Sequence, residues 1–168
     1  MRSLRSRFMS AKGQLRYGLH NQSMKDITIS IKRGVDLNDL DNYDPKKNFV
    51  NNKQTIYRLE PRLCTPLIYA IKYANNPLQL IKLFIKHHAD VNNKQSQYTE
   101  DYTALLATLN NKNLSTHIKV RILRQLLDAG VKIQSKAELE KVIDFLIRLI
   151  KSLNHHVFSL VDHFSCAN

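Results

Sequence analysis

Glycine and proline are scarce in this 168-residue chain, with four of each. So few turn formers disfavour a many-turned β-sandwich or barrel and suit helices. Two cysteines, Cys64 and Cys166, lie far apart and suggest no disulfide framework, which fits a reducing compartment or a fold that needs no bridge. No apolar run approaches the roughly 20 residues needed to span a bilayer. The beginning of the chain lacks the long apolar segment and small-residue cleavage site of a secretory signal, so a cytoplasmic location is expected. Acidic residues are missing before Asp26, while Arg2, Arg5, Arg7, Lys12, Arg16 and Lys25 give that head six positive charges.

Catalytic signatures are missing as well. There is no Gly-rich phosphate loop, no His-Glu-x-x-His helix and no Gly-x-Ser-x-Gly elbow, so no catalytic residue, metal site or cofactor is assigned. Asp36, Asp39, Asp41 and Asp44 form an acidic run, but no Gly sits at the bend and no Glu closes a calcium loop. His155, His156, His163 and Cys166 are close in sequence, yet helical spacing alone does not supply tetrahedral geometry, so they are read as polar edge residues. Cys64 is read as turn packing rather than as a nucleophile.

What is present is 43% hydrophobic and 24% charged residues, the composition of one folded domain, with a net charge of +12. The most informative stretch is Thr65-Pro66-Leu67. Thr65 is expected to cap a helix, and Pro66 then falls at the first helical position, where its missing N–H costs nothing. Leu67, Ala70 and Ile71 form an apolar stripe with a small residue at a close contact. Asn75-Asn76-Pro77 breaks the pattern. Leu78, Leu80, Ile81, Phe84 and Ile85 form a second stripe, and Ala89-Asp90-Val91-Asn92 supplies a tight exit.

A single helix pair cannot bury its own apolar face, so further copies should stack on it. Thr103-Ala104-Leu105 opens one, whose second helix carries Ile118, Val120, Ile122, Leu123, Leu126 and Leu127 before the stop at Ala129-Gly130. A weaker copy ends at Arg33-Gly34-Val35-Asp36-Leu37-Asn38. Its first helix falls near residues 13–20, with Leu15 and Leu19 inward and Gly18 at the small-residue position.

On these residues the chain resembles the ankyrin-repeat family over residues 12–134. The resemblance implies an all-α fold, an ankyrin-repeat α-solenoid of stacked helix–turn–helix units with hairpin-like connections. Its copies span 12–38, 65–92 and 103–134. Residues 1–11 form a basic flank, 39–64 an inserted finger and 135–168 a C-terminal helical cap. The family's His after Thr-Pro-Leu is replaced by Ile68 and Leu106, and the interval from Asp36 to Asp90 exceeds the usual unit of about 33 residues. In the cap, Ser135 and Glu138 have capping-box spacing. Val142, Leu146, Leu149, Leu153, Val157, Leu160 and Phe164 make a stripe, on one helix or on two broken near Asn154-His155-His156. Covering the last repeat is favoured over a dimerising coil.

The resemblance also implies binding through turn tips and the surface of the first helices. That surface takes in Arg62, Lys72 and Tyr73, then Tyr98 and Tyr102 in and beyond the connection, then Asn110 and Asn111. Tyr combines a rigid apolar ring with a hydrogen-bonding tip and is favoured at interfaces. Tyr69 is left out, as partly core. The expected function is non-catalytic protein–protein interaction, as an adaptor, an inhibitor or a host-targeting effector. Its Lys-, Asn- and Ile-rich composition resembles ankyrin proteins of intracellular bacteria or large DNA viruses, which implies a host signalling or ubiquitin-pathway partner in the host cytosol. The alternative is nucleic-acid or anionic-membrane binding through the basic head and the Lys119–Arg124 face.

Overall fold

The computed structural model describes residues 9–41, 63–94 and 103–165, the stretch from 155 onward by backbone alone. Most of the finger, the head before Met9, and the side chains of His155, His156, His163 and Cys166 lie outside the described residues. The elements in order are α1 (Ala11–His20), α2 (Met24–Lys32), α3 (Pro66–Tyr73), α4 (Pro77–Lys86), α5 (Ala104–Asn110), α6 (Thr116–Asp128) and α7 (Lys136–Ser165). Among the described residues there is no strand, and the extended backbone pairs only at an antiparallel bridge between Asp41 and Cys64.

The fold is an all-α ankyrin-type solenoid in two layers. Helices pack in consecutive pairs, α1 on α2, α3 on α4 and α5 on α6. The pairs then stack through α3 on α5 and α4 on α6, and α7 lies beside α5. Each helix start is written in the local sequence. Thr65 Oγ1 accepts from Ile68 N at 3.2 Å, and Thr103 Oγ1 accepts from Leu106 N at the same distance. Ser10, Ser23 and Ser115 cap α1, α2 and α6 in the same way. Pro66 and Pro77 occupy the first turns of α3 and α4, where no intrahelical N–H bond is lost.

The second helix of each pair ends alike. Gly34, His88 and Gly130 all adopt positive φ, at +77°, +64° and +83°. The residue after each then turns its N–H back into the helix: Val35 to Ser30 O, Ala89 to Phe84 O and Val131 to Leu126 O. This left-handed exit satisfies carbonyls that the helix end would orphan.

The exit turns are stitched to one another by side-chain amides. Asn38 Oδ1 accepts from Asp90 N at 2.7 Å, and Asn92 Oδ1 accepts from Lys132 N at 2.7 Å. Asn93 Nδ2 donates to Asn38 O, and Gln134 Nε2 repeats the contact by donating to Asn92 O. Within each turn, Asp36 accepts from Asn38 N and Asp90 accepts from Asn92 N, both at 2.8 Å. Asp36 and Asp90 thus hold equivalent places despite their long separation in sequence.

The core runs through all three pairs. Leu15, Leu19, Ile27, Leu67, Ile68, Ile71, Ile81, Phe84, Ile122 and Leu126 are each at most 1% exposed. Gly18 has the role its size suggests, since a Cβ there would stand 2.8 Å from both Cγ1 and the backbone N of Ile27.

Two expectations need correction. Val120 and Leu127 are 38% and 67% exposed, because the inward row of α6 is Ile118, Ile122, Leu126 and Ala129, and the other two fall off that face. The stripe expected in the C-terminal region also divides between two faces of α7. Val142 and Leu149 are half-buried, whereas Leu146 and Leu153 are exposed. The helix itself is single and continues through Asn154-His155-His156.

Candidate binding cleft

The turns between paired helices stand side by side on one edge of the stack. Asn75 and Asn76 end the first helix of the middle pair, and Asn111 to Ser115 join α5 to α6. Between these turns lies a cleft of about 580 Å³. Ile71, Lys72, Tyr73 and Ala74 form one wall with Asn75 to Leu78, and Asn111, Asn113, Leu114, Ser115 and Ile118 form the other.

Neighbouring turns hold the cleft in shape. Asn111 Nδ2 donates to Ile71 O at 2.9 Å, and its Oδ1 accepts from Asn113 N at 2.9 Å. Asn111 therefore ties α5's exit to the end of α3 as well as lining the wall. On the other side Gln22, itself at φ +54°, accepts from Asn75 N at 3.1 Å. Tyr69 is 5% exposed and stacks at a tilt on Tyr73, with ring centroids 5.0 Å apart. Tyr73 is 55% exposed. The buried ring orders the exposed one, so the Tyr73 side chain has little rotamer freedom left to lose.

The structure brings Lys72, Tyr73 and Asn111 of the expected surface together on this cleft. Asn110 precedes the turn and does not line it. Arg62, Tyr98 and Tyr102 lie outside the described residues. Asn113, Leu114, Ser115 and Ile118 were not anticipated. Ile118 is named in the sequence only as part of the apolar stripe of the second helix, and Asn113, Leu114 and Ser115 carry no signal there.

Electrostatics separate this surface from other polar groups. Arg16 grips the buried Asp41 carboxylate with Nε 2.6 Å from Oδ2, and its second nitrogen meets Oδ1. Lys12 contacts both Asp39 and Asp41, and the hydrogen bond to Asp39 leads in raising its pKa. Lys12 and Arg16 of the basic head are therefore paired with Asp39 and Asp41 of the acidic run. Lys119 donates to Leu109 O at 2.8 Å, capping the end of α5. Burial, with Arg148 nearby, lowers its pKa. Cys64 is buried beside the Asp41 bridge, and desolvation pushes its thiol up to about 12, with Asp41 adding to the rise and Lys72 opposing it. A thiol so protonated is a poor nucleophile.

A family model of the ankyrin repeat matches residues 62–96. No curated protein and no solved structure matches the chain. Among the described residues no helix is long and apolar enough to cross a membrane.

Proposed function

The chain is an ankyrin-repeat protein, and from that premise we propose that it binds a folded protein through the cleft between the α3–α4 and α5–α6 turns, without catalysis. The ankyrin repeat is a protein-interaction module, and one observation carries the assignment to this place. Lys72, the half-exposed Tyr73 and Asn111 line a single cleft whose walls are fixed by hydrogen bonds across neighbouring helix pairs. A preorganised surface of this kind loses little entropy on binding. A partner with an acidic group for Lys72 and an apolar face for Tyr73 fits it.

The finer role we propose is that of adaptor or competitive inhibitor. The Lys-, Asn- and Ile-rich composition supports an effector of an intracellular bacterium or a protein of a large DNA virus, acting in the host cytosol on a signalling or ubiquitin-pathway protein. Of the cations called on by the rival reading, nucleic-acid or anionic-membrane binding through the basic head and the Lys119–Arg124 face, Lys12 and Arg16 are engaged by carboxylates and Lys119 by a carbonyl.

Affinity capture with the wild type and with Lys72→Glu/Tyr73→Ala tests the proposal, followed by salt titration of the captured complex. Loss of the partner in the variant supports the cleft, and unchanged recovery removes it. A bound species that is nucleic acid, released steeply as salt rises, would establish the rival instead.

A further inference from the structure

α7 is apolar around more of its circumference than the helix pairs cover. Glu138, Val142, Phe145 and Leu149 recur at steps of four, three and four, on the side tied to α5 by the bond from Thr103 to Glu138; Glu138 is fully buried and the other three are half-buried. A second row, Leu139, Ile143, Leu146, Ile150 and Leu153, recurs at four, three, four and three. Its members are 43%, 45%, 48%, 56% and 56% exposed, and Ile147 beside them is 45% exposed. None of these residues belongs to the hydrophobic core.

Alternating steps of three and four define a coiled-coil seam, in which the residues are called a and d. Here Ile143 and Ile150 fall at a, while Leu139, Leu146 and Leu153 fall at d. The same spacing runs on in the sequence through Val157, Leu160 and Phe164, along a helix that continues unbroken to Ser165. β-Branched residues at a with Leu at d is the pattern that favours two parallel strands.

We propose that α7 is the dimerisation element of this protein, pairing in parallel with α7 of a second copy through this row. Charge agrees with that occupant. Each copy carries +12, yet the described positions flanking the seam are Glu140, Val142, Ile147, Leu149 and Asn154, with no cation among them, and Lys136, at the a position that opens the helix, lies 3.8 Å from Glu140. Lys141 and Arg148 fall on the opposite side of the helix, at the heptad position furthest from the seam. Area agrees too. Six half-exposed Leu and Ile side chains offer roughly 500 Å² per copy, so a pair buries about 1,000 Å², the lower bound for a specific interface. The inference does not depend on the binding cleft, which lies on the turns between paired helices.

Light scattering on the full chain during size exclusion, loaded at roughly 10 and 100 μM, reads the outcome directly. The wild type is expected at twice the chain mass of 19.5 kDa, and Ile143→Lys/Ile150→Lys at the single-chain mass. A single-chain wild type at the higher loading overturns the proposal, as does an unchanged double variant or an assembly of three or more chains. Leu146→Cys in a Cys166→Ser background covers the case in which the double variant fails to fold. Mild oxidation is expected to link position 146 of one copy to position 146 of the other, and absence of that link overturns parallel pairing.

Discussion

Glu138, fully buried at the start of α7, accepts a hydrogen bond from the hydroxyl of Thr103, the residue that caps α5. Its other carboxylate oxygen accepts from the backbone N–H of Gln134, and its own N–H donates to Ser135 Oγ at 3.1 Å. The Ser135–Glu138 pair has the spacing of a capping box, but the Glu side chain reaches past the cap to a different helix pair. In this chain, whose Thr-Ala-Leu opening carries Leu106 where the family has His, a carboxylate from the following helix engages the threonine instead. Replacing Glu138 by Ala leaves a buried hydroxyl and a backbone N–H without that acceptor, a loss of about 1–3 kcal/mol. Urea unfolding followed by circular dichroism is expected to show it. Hydrogen exchange is expected to rise first in the opening turn of α7, and a Glu138→Ala protein as stable as the wild type would refute the role.

His88 sits in the left-handed conformation that Gly34 and Gly130 occupy at the ends of the other pairs. A side chain is costly at such a φ, and glycine is not. His88→Gly is therefore expected to stabilise the protein by about 1 kcal/mol and Gly130→Ala to destabilise it by a similar amount. Opposite shifts in the thermal midpoint check both at once.

Gly18 lies inside α1, where exchange of an exposed Gly for Ala would ordinarily gain about 1 kcal/mol of helix propensity. Here the added methyl meets the backbone N of Ile27 at 2.8 Å, a neighbour that cannot rotate away. Gly18→Ala is expected to cost about 1–3 kcal/mol instead, by forcing α1 and α2 apart. Denaturant midpoints of the two proteins decide the sign.

Cys64 gives a pH signature. Burial disfavours the thiolate and pushes its pKa in the folded state up to about 12 from the ordinary 9.0. The folded state therefore holds the proton more tightly. Its stabilising effect is complete below pH 9 and is lost as pH rises from there toward 12. Cys64→Ala is expected to flatten the alkaline side of the stability profile. Alkylation mapped to Cys64 by mass spectrometry at pH 8 is expected to follow unfolding in urea rather than thiol ionisation.

The parts of this fold that depend on neighbouring residues were legible in the sequence. Thr65 and Pro66 start α3 because capping and a missing N–H are local matters, and Leu15, Gly18 and Leu19 showed their inward face by spacing alone. Contacts that depend on stacking were not legible. Nothing near Arg16 points to Asp41, 25 residues away, and nothing near Thr103 points to Glu138. α7 conceals its faces for another reason. Two apolar rows share one helix, so a stripe drawn through Val142, Leu146, Leu149 and Leu153 mixes the face turned to α5 with the one turned to solvent. Lys72 and Tyr73 were found through the family resemblance. On the opposite wall of the cleft, Asn113, Leu114 and Ser115 of the turn and Ile118 of α6 come beside α3 only through stacking, which no local pattern shows.

Engagement of a protein partner by the cleft between the α3–α4 and α5–α6 turns is open to direct measurement. Hydrogen–deuterium exchange of the captured complex against the free chain tests it most directly. New protection is expected over residues 71–78 and 111–118 together, with the exit-turn ladder at Asn38 and Asn92 unchanged. Protection elsewhere, with both walls of the cleft exchanging as in the free protein, would contradict it.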